Sequence, residues 1–193
     1  NTLGEWSGLY GPDSAPVATV TAITHRRDAR YYAILSGRNP EHTTLASVTA
    51  FEFQHAVGSA LRRALPAVRD LHVYADHELG SMLHVVLATD KRDDAAPMAL
   101  AQAALRVEVD MGGMRVPCER VVKRVIVVDA DVDVHDRDDV EWAMWSRTAR
   151  TEKFRVLGET ASWDLERCAK PGVGSLRLAI DATADLDDRA KLR

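Results

Sequence analysis

The stretch VVKRVIVVDADVDV, residues 121–134, decides the fold. It opens on a near-continuous β-branched run. Such a run marks a strand buried on both faces, as in a parallel or mixed sheet with helices packed against it. An acidic segment follows. Then DRDDVEWAMWSRTA, residues 136–149, reads as a helix with Asp138 near its N-cap.

Upstream, RDDAAPMALAQAALRVEVD (92–110) is Ala-rich and begins with Asp93 and Asp94, two candidate N-caps, so it predicts a helix. MGGMRVP (111–117) is a loop. DLHVYAD (70–76) and MLHVVLATD (82–90) read as two strands. Residues 43–65 carry a helical pattern in which Leu45, Val48, Phe51 or Glu52, His55, Ser59 and Arg62 mark successive turns, and Pro66 stops it. SGRNPEH (36–42) is a connector. APVATVTAITHRRDARYYAIL (15–35) alternates apolar and polar residues and predicts two strands, with a turn at Arg26-Arg27-Asp28. The opening NTLGEWSGLYGP (1–12) shows neither a helical period nor a clean strand. Downstream, residues 170–193 hold a glycine-containing loop, a short apolar run and a polar end. The order is strands, helix, strand, strand, helix, strand, helix, tail. It predicts an α/β fold, with α+β as the alternative.

With 193 residues there is room for one ordinary domain, or one domain and part of another. A net charge of −4 gives no electrostatic support to a nucleic-acid partner. No apolar run reaches the length of a membrane span, and the first residues lack signal-peptide blocks, so a cytoplasmic protein is expected. Cys118 and Cys168 form no CxxC pattern and read as free thiols, with a disulfide or zinc pair as the alternative. Seven histidines are scattered over different elements, with no HxxxH or HExxH set. Asp129, Asp131 and Asp133 have the spacing of the first ligands of a calcium loop. Val134 and Val140 stand where that loop needs glycine and glutamate, so the acids read as a strand end that caps the next helix and faces water. No phosphate-binding glycine motif and no nucleophile elbow occurs. Glu5 remains, in a Gly-flanked loop beside Trp6. Packed into a cleft, its carboxyl group is desolvated and becomes a general acid near neutrality; left at a frayed terminus, it is an ordinary exposed acid.

Four stretches, in order and at compatible distances, resemble the UbiD family of prenylated-flavin-dependent decarboxylases. GEWSGLYGP (4–12) looks like the family's Gly-Glu-aromatic-x-Gly-aromatic segment, and VTAITHRRDARYYAILSGR (20–38) like the strand pair after it. KRVIVVDADVDVHDRDDVEWAMWSR (123–147) is the closest match, and GSLRLAIDAT (174–183) resembles the family's closing segment. The resemblance covers essentially the whole chain. It implies that residues 1–36 are the terminal strands of a split-barrel domain that binds prenylated FMN. Residues 37–193 would be a carboxy-terminal α/β sandwich domain used for oligomerisation.

The implied activity is non-oxidative, reversible decarboxylation of an aromatic or α,β-unsaturated carboxylic acid by a carboxy-lyase. Glu5 matches the second of the family's two catalytic glutamates and would be the proton donor. The first would fall immediately before Asn1, and the catalytic arginine further upstream. Leu3 stands where the family usually has phenylalanine. HTTLAS (42–47) points to Leu45 as a contact of flavin and substrate, and Trp163 matches the aromatic wall of the substrate pocket. Pro117 falls where some members have a cofactor-reaching lysine, and Arg177 falls near the family's final lysine. No metal ligand is expected within this chain. The divalent metal and potassium that accompany the cofactor would be held mostly by the amino-terminal part. The implied partners are that flavin-binding part, a small carboxylic acid and further copies in a homo-oligomer, with neither nucleic acid nor membrane. The segment alone would be inactive. The alternative from another class is a non-catalytic α/β oligomerisation or interaction module.

Overall fold

A computed structural model describes residues 2–4, 10–12, 16–75, 83–160, 166, 169 and 174–189. The decisive stretch forms β7 (Val122–Asp129), the middle strand of a five-stranded sheet. Parallel to it lie β4 (Leu83–Thr89) on one side and β9 (Ser175–Ala182) on the other. The edges are antiparallel: β3 (Val68–Tyr74) beside β4, and β8 (Phe154–Thr160) beside β9. The order β3-β4-β7-β9-β8 is that of a mixed sheet.

Because side chains alternate along a strand, β7 feeds two cores at once. Val125 and Val127 join Leu71, Val73, Val85 and Leu87 on one face. There they meet α1 (Pro40–Ala64) through Val57, Ala60 and Leu61, and α2 (Ala96–Arg106) through Ala101, Ala104 and Leu105. Ile126 and Val128 join Val86, Ala88, Ile180 and Ala182 on the other face, under Val140 and Ala143 of α3 (Arg137–Arg147). Helices thus cover both faces, which is why β7 carries no polar alternation.

Several local expectations need correction. Residues 16–36 form no strand; only the turn at Arg27-Asp28 remains, and their apolar residues are exposed, Tyr31 at 92%. An isolated two-stranded ribbon is marginal in water, and no sheet edge among the described residues pairs with this segment. Conversely, the opening does hold a short antiparallel pair, β1 (Thr2–Gly4) with β2 (Tyr10–Pro12). Helix α1 starts three residues before the sequence pattern does, since Asn39 caps it and Pro40 fits its first turn. Helix α3 is capped by Asp136 rather than Asp138, whose amide donates to the Asp136 side chain at 2.9 Å. In α2 the Asp93 side chain accepts from Ala95 and Ala96, while Asp94 pairs with Lys91.

The 111–117 loop is part of a hairpin, β5 (Glu108–Asp110) with β6 (Arg115–Pro117). Gly112 and Gly113 turn it at φ +70° and +93°, a region that glycine enters without strain. Strand β8 has no counterpart in the sequence reading, and the short apolar run of the tail is β9, followed by α4 (Leu186–Arg189).

Candidate functional site

Leu45 sits near the start of α1, whose entry is fixed by a compact set of bonds. Asn39 Oδ1 accepts from the His42 amide at 3.1 Å, and Asn39 Nδ2 donates to the Leu35 carbonyl at 2.6 Å. His42 Nδ1 accepts from the Gly37 amide at 2.8 Å, with Gly37 held at φ +110°. This clamp fixes the direction in which the first turns leave the connector. Leu45 is 52% exposed and therefore not a core residue of this chain. Val48 and Phe51 follow at helical spacing and are exposed as well, so α1 carries an apolar stripe on the side away from Val57 and Leu61.

Glu5 and Trp163 both lie outside the described residues, as do Cys168 and His77. Gly4, the residue before Glu5 in the sequence, pairs with Tyr10. The structure therefore brings none of the three expected site residues into a described contact with another. Pro117 ends β6. Arg177 is fully buried in β9: its Nε donates to the Glu119 carbonyl, and its Nη1 donates to Glu166 Oε2 at 3.2 Å. Glu166 also takes the Lys123 ammonium and the Ser175 hydroxyl. This cluster joins the amino-terminal ends of β7 and β9 through the Glu166 carboxylate. Its sequence signal, a Lys-Arg pair opening β7 and an arginine inside an apolar strand, is visible only once the strands are known to be neighbours.

The acidic segment after β7 meets in part the expectation of a strand end that caps the next helix and faces water, since Asp136 caps α3 and Asp131 and Asp133 are exposed. Asp129 is buried and does not face water. It accepts from Arg147 Nη1 at 2.8 Å, from the Ala184 amide at 2.7 Å and from Arg189 Nη2 at 2.5 Å. Asp131 takes the other face of the same guanidinium as a two-pronged pair, at 2.9 and 2.8 Å. Those bonds from Arg147 hold the Asp131 carboxyl below the usual range, and the carboxylates in turn raise Arg147. Asp131 stays exposed despite this pairing, and so does Asp133, whose amide donates to Asp139. The spacing that suggested calcium ligands is used to lock α3 onto the carboxyl end of β7. Among the described residues, no group of three or more His, Cys, Asp or Glu side chains could hold a metal ion.

Two of the scattered histidines converge. His72 of β3 and His135 of the acidic segment meet at 3.1 Å through their Nδ1 atoms, and His135 Nε2 is 3.2 Å from Asp70. Burial pushes the His72 imidazole down, and the facing His135 adds to that shift. Cys118 is a buried free thiol pushed up to about 12, first by burial, which removes it as a thiolate nucleophile. No helix among the described residues is long and apolar enough to cross a membrane.

Comparison with known proteins matches the family model for the 3-octaprenyl-4-hydroxybenzoate carboxy-lyase C-terminal domain to residues 49–182. The chain belongs to this UbiD family. Among its relatives, the anhydromevalonate phosphate decarboxylase of Aeropyrum pernix is 28% identical, over 89% of this chain and 35% of its own length. The gallate decarboxylase of Lactiplantibacillus plantarum is also 28% identical, over 92% of this chain and 36% of its own. Among solved structures, the UbiD-class enzyme HmfF from Pelotomaculum thermopropionicum, in complex with FMN, superposes with a TM-score of 0.63. It is 25% identical, over 98% of this chain and 42% of that one. The closed form of the vanillic acid decarboxylase of Sedimentibacter hydroxybenzoicus shares the fold, with a TM-score of 0.63 over 96% of this chain. The UbiD-family chain described here spans about a third of the length of its curated relatives.

Proposed function

We propose that this chain is the carboxy-terminal part of a UbiD-class carboxy-lyase that removes carbon dioxide from an aromatic or α,β-unsaturated carboxylic acid, non-oxidatively and reversibly. The observation that carries this reading is the run of family matches along the chain. The family model covers residues 49–182, and the two relatives aligned over 89% and 92% of the chain are both named decarboxylases. In this reading residues 1–36 complete a split-barrel domain that binds prenylated FMN, and residues 37–193 form the α/β domain. The rest of the site, including the metal and potassium that accompany the cofactor, comes from an amino-terminal flavin-binding part. This segment by itself is inactive.

The described residues fit such a cofactor at one point. The half-exposed Leu45, followed by Val48 and Phe51, offers an apolar edge of the kind a ring system packs against. The bound cofactor supplies the electron sink for carbon–carbon cleavage. This chain supplies the rest. Leu45 and Trp163 shape the pocket and keep water from it. Glu5 holds the proton that replaces the departing carboxylate: the carbon–carboxylate bond breaks, carbon dioxide leaves, and the Glu5 proton ends on that carbon. For this it needs a carboxyl group desolvated enough to be protonated near neutrality, and a place within hydrogen-bond reach of the reacting carbon.

The test is carbon dioxide release by the complete flavin-loaded protein over a panel of aromatic and cinnamic-type acids. Turnover of at least one of them is expected. A flavin-loaded, folded protein that releases carbon dioxide from none of them overturns the proposal.

A further inference from the structure

The face of the sheet under α3 is not fully covered. Beyond the end of the Ile126–Val140 contact lies a cavity of about 180 Å³, lined by Tyr74, His84, Val86, Arg124, Ile126, Val140 and the Arg137 and Glu141 side chains. The strand register explains its construction. Tyr74 pairs with His84, and His84 with Arg124, so three adjacent strands place these side chains in one row on the same face. The next row inward carries Val86 and Ile126. The cavity thus has an apolar floor, an aromatic side wall and a polar row at one end.

Two atoms of that polar row are buried without partners. Arg124 Nε and His84 Nδ1 have no hydrogen-bond partner among the described residues. An unmade bond on a buried polar atom costs on the order of 1–3 kcal/mol, more on a charged one, so such atoms call for an explanation. Tyr74 is not among them, since its hydroxyl donates to the Val134 carbonyl at 2.9 Å while Arg137 lies over its ring at 5.2 Å. Arg124 is the cation of the polar row, and Glu141 is the carboxylate that faces it. Burial pushes His84 down to about 4, with Arg124 adding to the shift, so His84 is neutral at physiological pH. A dry cavity of about 150 Å³ is enough for a benzene ring.

We infer that this cavity is a binding site for a single-ring aromatic monocarboxylate, with the carboxylate on the Arg124 Nε–H and the ring between Tyr74 and the Val86–Ile126–Val140 floor. The site is separate from the apolar stripe of Leu45, because α1 and α3 pack on opposite faces of the sheet. It needs no catalytic step and stands whether or not the decarboxylase reading does. His84 Nδ1 is left to bond a ring substituent or a water beside the carboxylate.

The probe is 4-fluorobenzoate, titrated into the intact protein and followed by fluorine NMR, with 4-fluorotoluene as the uncharged control. Saturable binding is expected for the acid, at least tenfold tighter than for the control. Arg124→Gln should weaken it at least tenfold. Glu141→Gln, a change at a partly exposed position, should tighten it several-fold by removing the carboxylate that faces Arg124. Any binding at a decarboxylase site is insensitive to both changes and appears as a second, unaltered component. Equal binding of acid and control overturns the inference, as does a Glu141→Gln protein with unchanged or weaker affinity. Should Arg124→Gln fail to fold, the Glu141→Gln and control arms decide alone.

Discussion

At the scale of single residues, the buried charges of this chain carry the clearest consequences. Arg147 is the shared partner of Asp129 and Asp131, and its own side chain is buried. Removing one member of a buried pair leaves an uncompensated charge, which typically costs about 3–5 kcal/mol. Arg147→Ala should therefore lower stability by about that amount in a denaturant titration, and a loss below about 1 kcal/mol contradicts the lock described above. His84 gives a pH signature. Its folded-state value lies below its unfolded value of 6.5, so the unfolded chain binds the proton first as pH falls. The stability it contributes is complete above about 6.5 and is lost progressively as pH falls towards about 4. Denaturant midpoints measured across that window should fall for the wild type, and His84→Gln should flatten the slope. Trp163 belongs here too. If it walls the substrate pocket, Trp163→Ala changes the range of acids accepted more than it changes melting; collapse of stability with an unchanged range makes it a core residue.

Elements show how far the sequence could be read. The β-branched run of residues 122–128 was legible because burial on both faces leaves no room for polar alternation, and the structure makes it the central strand. The Ala-rich α2 and the strands β3 and β4 were legible for similar local reasons. Strand β8 was not. It is an edge strand with Phe154 and Val156 partly exposed, so its pattern does not display a buried face. The β5–β6 hairpin was hidden because three-residue strands carry too little pattern to separate from the glycine turn between them. The start of α1 was hidden inside the 36–42 connector, where Pro40 stands in the first turn that proline favours. That cap is testable: Asn39→Ala should cost about 1 kcal/mol, read from chemical denaturation, with the first turns of α1 fraying earliest in hydrogen exchange. Unchanged protection at residues 42–46 would show that the cap does not hold the turn that presents Leu45.

On the scale of the whole molecule, legibility followed contact order. Local patterns gave the α/β class, while the network that joins residues far apart, such as Arg189 with Asp129 or Glu166 with Lys123, has no local trace. The candidate site was legible only by likeness to the UbiD family. Of its residues, Leu45 is half exposed on α1, and Glu5 and Trp163 lie outside the described residues. Under the proposed function, the 16–36 segment, with its exposed Val, Ile and Tyr side chains, would enter a sheet completed by the flavin-binding part. Its amides should exchange at near-unprotected rates in this chain alone and slow by orders of magnitude in the complete enzyme, while those of β7 stay protected in both.

The central claim, that this chain contributes the proton donor of a decarboxylase, is tested most directly by Glu5→Gln in the complete enzyme. Carbon dioxide release and the visible flavin spectrum are to be measured on the same sample. The account predicts a fall in turnover of about 100-fold or more with the flavin spectrum retained. Near-normal release of carbon dioxide by the flavin-loaded variant would contradict it.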